Sequence, residues 1–222
     1  MSKTKFCFIL CLVQFFLCPY AHVEIINDEK TLNCEISPWL KSGLLNSTRI
    51  ELKFGSYGVK VLAQDPVKGI RLSSLYSEHG NEQITRTLAF TRYESKVNDK
   101  LKMAHDEILA GGSIGTILKK HGFDLRKDLF FKGFLEDMPD RVQLLMHTEE
   151  FLHAAIIYNL VAIRENENYP YCTILEVYSP QFLSVAEVQQ IYPEFSNLKL
   201  STEETLDAID MINRMEELIV SS

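Results

Sequence analysis

The sequence predicts an α+β domain: an antiparallel β-sheet with helices packed on one side of it and over a site between them. Two observations carry this reading. Segments with two-residue apolar alternation come in pairs joined by turn residues, and a helical period with a Gly-rich turn separates those pairs. The 222 residues, 46% of them hydrophobic, suffice for one sizeable core and not for several full domains.

Residues 1–21 read as a signal peptide: Lys3 and Lys5 precede a run at 6–17 that is apolar except for Gln14. At 12 residues the run falls short of the roughly 20 that a membrane-spanning helix needs. Export to the periplasm or medium is expected, with no stable membrane span after processing; the alternatives are a cytoplasmic chain or one anchored through this run. Cys7, Cys11 and Cys18 lie in this leader, which leaves Cys34 and Cys172 either as one disulfide or as two buried thiols.

Residues 22–48 form an irregular lead-in with one short helix at most, and the triplet Asn46-Ser47-Thr48 matches a glycosylation sequon. The core, 49–184, starts where Ile50, Leu52 and Phe54 alternate with Glu51 and Lys53; Gly55 to Gly58 then turn the chain into Val59-Lys60-Val61-Leu62, a hairpin. A second pair spans 69–77 and 84–91 around Glu78-His79-Gly80-Asn81, with Ile84, Arg86, Leu88 and Phe90 on one face. Val97, Leu101, Ala104 and Ile108 fall at helical spacing and end at Gly111-Gly112, after which Ser113 caps a short helix. Residues 123–134 read as strand or turn and 136–140 as a loop. The apolar runs 154–163 and 171–178 form a central hairpin around Glu165-Asn166-Glu167-Asn168, ended by Ser179-Pro180. In the helical extension 185–222, Ser201-Thr202-Glu203-Glu204 is a capping box ahead of Leu206, Ile209, Ile212, Met215 and Ile219.

A net charge of −7 without a Lys/Arg run excludes a phosphate-backbone binder, so no nucleic-acid partner is expected. His147 and His153 lack the i, i+4 spacing of a zinc-protease helix, and no Gly-x-Ser-x-Gly elbow is present, so neither metal binding nor acyl hydrolysis is expected.

Gly69-Ile70-Arg71-Leu72-Ser73-Ser74-Leu75-Tyr76, a turn, and Thr85-Arg86-Thr87-Leu88-Ala89-Phe90 resemble the paired strands of chorismate pyruvate-lyases. Gly112-Ser113-Ile114-Gly115 resembles that family's Pro-Leu-Gly segment, with Ser113 for proline and Ile114 for leucine. Thr173-Ile174-Leu175-Glu176-Val177-Tyr178 resembles its last strand. The motifs occur in the family's order across roughly 50–183.

The resemblance implies a chorismate lyase-like fold and a cofactor-free enzyme. It would cleave chorismate to pyruvate and 4-hydroxybenzoate, a ubiquinone precursor. Arg71 would pair with a ligand carboxylate, the Ile114 and Gly115 amides would add donors, and Glu176 would meet the ring hydroxyl or move a proton. Arg86 would take a second carboxylate. Catalysis would rest on Glu176 and Arg71, and binding on Arg71, Arg86, Ile114, Gly115 and Glu176, with no metal.

Each residue has a plainer alternative: Arg71 as a solvated charge, Glu176 on an exposed edge, the glycines as helix punctuation. The leader and the tail after Ser184 depart from the family, so a second function stands beside the enzyme. That function is an exported, non-catalytic binding protein for a small aromatic or cyclic carboxylic acid. The oligomeric state is left open.

Overall fold

A computed structural model describes residues 37–136, 138–193 and 202–221. The leader, Cys34, the first part of the lead-in and Ser201 of the capping box lie outside the described residues. The class is α+β. Six strands form one antiparallel sheet in the order β1-β2-β3-β6-β5-β4, from β1 (Gly58–Asp65), β2 (Ile70–His79), β3 (Glu82–Tyr93), β4 (Asp124–Leu135), β5 (His153–Arg164) and β6 (Glu167–Tyr178). The helices are α1 (Asn46–Phe54), α2 (Lys102–Leu109), α3 (Ile114–Lys120), α4 (Asp140–Met146), α5 (Val185–Ile191) and α6 (Thr202–Ser221).

The two hairpins expected at 69–91 and 154–178 form, because their pairing is local and their turns supply left-handed residues. Gly80 turns β2 into β3, while Glu165 and Asn166, at φ 55° and 65°, turn β5 into β6. The hairpin expected at 50–62 does not form. Residues 46–54 are helical and bury Asn46, Arg49 and Ile50, spaced i, i+3, i+4, while Leu52 points outward. Gly55, at φ 79°, caps the helix in the left-handed conformation. Five alternating residues fit a strand as well as one helical stripe, and the packing of α1 on the sheet decides between them.

Four β-bulges shape the sheet, at Leu62, Arg86, Phe130 and Tyr171, each an extra residue opposite a single partner residue. The bulge at Arg86 overturns the expectation that this residue shares a face with Leu88 and Phe90. Its guanidinium turns toward α1 and stacks 3.8 Å from the Phe54 ring centre, donating to Ser77 Oγ at 2.8 Å and Gln181 Oε1 at 3.1 Å.

Helices cover both faces of the sheet rather than one. On the first face, Ala89, Ile156, Tyr158, Leu160 and Ile174 pack under Ile50 of α1, Ala104 and Ile108 of α2, Leu118 of α3 and Val188 of α5. On the second, Leu72, Leu88, Phe90, Ile157 and Leu175 pack under Val142 and Met146 of α4 and Met211, Met215 and Ile219 of α6. α6 thus covers the opposite face from the cavity described below and does not close its mouth. β5 and the second half of β6 run as near-continuous apolar segments because both of their faces are buried. Arg92 ties α6 down through Asp207 at 2.7 Å and Asp210 at 3.5 Å. Among the described residues no helix is long and apolar enough to cross a membrane.

Candidate functional site

A cavity of about 80 Å³ lies between the first face of the sheet and the starts of α1 and α3. Its floor includes Arg71 and Ser73 of β2, Ala89 and Thr91 of β3, and Ile174 and Glu176 of β6; Leu45, Asn46 and Ser47 form one wall and Ser113, Ile114 and Gly115 another. Of the five expected site residues, Arg71, Ile114, Gly115 and Glu176 meet here, and Arg86 lies outside the lining. The bulge turns it to the cavity's face of the sheet, but its stacking on Phe54 at the far end of α1 and its bonds to Ser77 and Gln181 keep it out of the lining.

Arg71 is 1% exposed. Its Nε donates to Ser73 Oγ at 2.7 Å, and its Nη1 donates to the carbonyls of Ile108 at 2.8 Å and Gly112 at 3.0 Å. All three acceptors are neutral, and among the described residues Arg71 joins no ion pair. These bonds fasten the α2–α3 turn to β2. They exist because Gly111, at φ 110°, bends the chain so that both carbonyls face the sheet.

Glu176 is 4% exposed and fully engaged. Tyr158 donates to Oε1 at 2.9 Å, Tyr178 donates to Oε2 at 2.6 Å, and Lys127 Nζ stands 3.7 Å from Oε2. Lys127 also lies 4.2 Å above the Tyr158 ring. Burial, and then the Glu176 charge, push the Tyr158 and Tyr178 phenols well above their ordinary pKa, so both stay protonated donors. The expected cost of a carboxylate among apolar neighbours is offset by this network. Tyr158 and Lys127 escape sequence reading, although the 165–166 turn sets a register that places Tyr158 on the face of Glu176.

Among the described residues the charged ones in the lining are Arg71, Lys127 and Glu176, two cations against one carboxylate, an excess of one positive charge. On the other wall Tyr57 donates to Ser113 Oγ at 3.1 Å, and burial raises the Tyr57 phenol. Gly115 lets α3 approach Leu45: a Cβ there would stand 3.3 Å from Leu45 Cδ1. Asn46 is 5% exposed and its Nδ2 donates to Thr87 Oγ1 at 2.9 Å, so the sequon residue is a wall of the cavity and has no room for a glycan.

His147 caps α4, whereas His153 is buried at the start of β5, and among the described residues no three His, Cys, Asp or Glu side chains come together as a metal site. Cys172 is a buried free thiol; its pairing with Cys34 involves a residue outside those described. A comparison of the sequence with protein-family models gives no match, and neither does a comparison with curated proteins.

Proposed function

We propose that this chain binds a small cyclic or aromatic monocarboxylate in the cavity, with the carboxylate on Arg71. The observation that carries this reading is the buried guanidinium that, among the described residues, has no counter-ion and lines a cavity with one positive charge in excess. A buried charge is retained where something pairs with it, and a planar carboxylate suits a guanidinium. Arg71 Nη2 is not committed to the three bonds that anchor the side chain, and the Ile114 and Gly115 amides stand on the opposite wall. The cavity's 80 Å³ sets the scale: about 10–15 Å³ holds one water and about 150 Å³ takes benzene, so the ligand is small and a ring needs a lining side chain to shift. The leader-like residues 1–21 support an exported binder.

Cleavage of chorismate is the second reading, favoured by the Lys127–Glu176 pair beside the cavity. In that reaction the ring carbon bearing the hydroxyl loses its hydrogen and the ring C–O bond to the enolpyruvyl group breaks. The enolpyruvyl methylene takes up a proton to give pyruvate. Lys127 and Glu176 would hold and pass the proton. Chorismate has two carboxylates, and among the described residues the second finds no unpaired cation in the lining, because Lys127 is held by Glu176 and Arg86 lies outside it. That charge count ranks binding above turnover.

Calorimetric titration of the full chain with benzoate and 4-hydroxybenzoate tests the binding reading. Saturable binding that Arg71→Ala abolishes is expected, and no binding of either acid overturns it. Incubation with chorismate tests the lyase reading, which requires 4-hydroxybenzoate to form faster than without protein and more slowly with Glu176→Gln.

A further inference from the structure

We infer that Ser113 is a direct ligand contact in this cavity, its hydroxyl donating to the carboxylate that Arg71 holds. The inference rests on the carboxylate reading above and deepens it. A serine just before a helix ordinarily turns its Oγ to a backbone amide of the first turn. Ser113 precedes α3 and makes no such bond. Its Oγ instead accepts from the Tyr57 hydroxyl at 3.1 Å and from the Thr116 hydroxyl at 3.2 Å.

A hydroxyl has two lone pairs and one proton. With both lone pairs occupied, the capacity left to Ser113 is its O–H, and among the described residues no acceptor receives it. Ser113 and Tyr57 line the same cavity as Arg71, and the carbonyl of the preceding Gly112 accepts from Arg71 Nη1 at 3.0 Å. The guanidinium and the serine hydroxyl are therefore tied to one turn. A carboxylate between them takes one proton donor on each oxygen. Tyr57 does not touch the ligand in this arrangement; it is a positioning residue that fixes which way the serine proton points.

The test is titration of the full chain with benzoate. Ser113→Ala is expected to bind about tenfold or more weakly, the loss of one hydrogen bond to a charged group. Its thermal midpoint should fall by only a few degrees, since no cap bond is lost and the Tyr57 and Thr116 hydroxyls lose one acceptor. Ser113→Thr, which keeps the hydroxyl, should restore affinity. Tyr57→Phe should weaken binding in the wild type and add nothing in the Ser113→Ala background.

Ser113→Ala within twofold of the wild type, while Arg71→Ala abolishes binding, overturns this inference and leaves the carboxylate reading standing. A wild type that binds neither benzoate nor 4-hydroxybenzoate overturns both. If Ser113→Ala does not fold, Tyr57→Phe and Ser113→Thr decide: equal affinity of Tyr57→Phe and the wild type overturns the inference.

Discussion

Replacing Arg71 with methionine separates ligand binding from folding. Methionine keeps much of the apolar stem and removes the guanidinium, so the bonds to Ser73, Ile108 and Gly112 are lost. The Ile108 carbonyl keeps the Gly111 amide at 3.0 Å, which leaves the Gly112 carbonyl and the Ser73 hydroxyl to find other partners. Each such loss costs about 1–3 kcal/mol. Removal of a buried charge without a counter-ion returns several kcal/mol of desolvation. The two nearly cancel, so stability should change by no more than about 2 kcal/mol, or roughly 4–8 °C in midpoint. Binding has no such compensation. Removing one partner of a buried ion pair costs about 3–5 kcal/mol, and benzoate affinity should fall by roughly two to four orders of magnitude. Calorimetry gives the affinity. Thermal melts give the linkage, since benzoate at about 100 times the wild-type Kd adds about 2.7 kcal/mol to the wild type and at most about 0.4 kcal/mol to the variant. Unchanged affinity in a folded Arg71→Met protein refutes the reasoning. Equally damaging is a stability loss above about 5 kcal/mol, which would make Arg71 a strut between β2 and the α2–α3 turn.

Met215→Ala should cost about 2–5 kcal/mol, because the side chain is fully buried between α6 and the second face, yet leave benzoate affinity unchanged; chemical denaturation and titration check the two halves. Burial places the Cys172 thiol pKa well above its ordinary value, so peptide mapping after alkylation should find Cys172 modified only in denaturant. Burial also lowers the His153 imidazole below 6.5, against the weaker opposing pull of the Tyr178 carbonyl and Glu150. The folded chain therefore takes up this proton at lower pH than the unfolded chain. The stability contributed by neutral His153 is present above 6.5 and is lost as pH falls through 6.5 toward the folded value. Denaturation midpoints measured between about pH 8 and 5 should fall on the acid side, and His153→Gln should flatten that slope.

The parts of the fold legible in the sequence are those whose partners are close in the chain. The β2–β3 and β5–β6 hairpins announce themselves through Gly80 and Glu165-Asn166, and α2 ends where Gly111 ends it. Bulges are invisible to a period-two count, because one inserted residue reverses every later side chain, and such a count puts Arg86 on the wrong face. Short segments suffer differently. Alternation at Ile50, Leu52 and Phe54 does not distinguish a strand from the i, i+4 stripe of α1. In α4, two buried residues, Val142 and Met146, are too few to show a period. The site divides the same way. Arg71, Ile114, Gly115 and Glu176 belong to contiguous motifs and meet in the cavity. Lys127, Tyr158 and Tyr57 reach it through sheet order and helix packing, which set the charge count and the hydroxyl chain but leave no local pattern.

A crystal structure of the full chain with 4-hydroxybenzoate tests the central claim most directly. The ligand carboxylate should lie within hydrogen-bond distance of Arg71 and face Ser113, with the ring toward Glu176 and Lys127. A ligand bound elsewhere, or one whose carboxylate sits on Lys127 while Arg71 keeps only its three neutral acceptors, would contradict it.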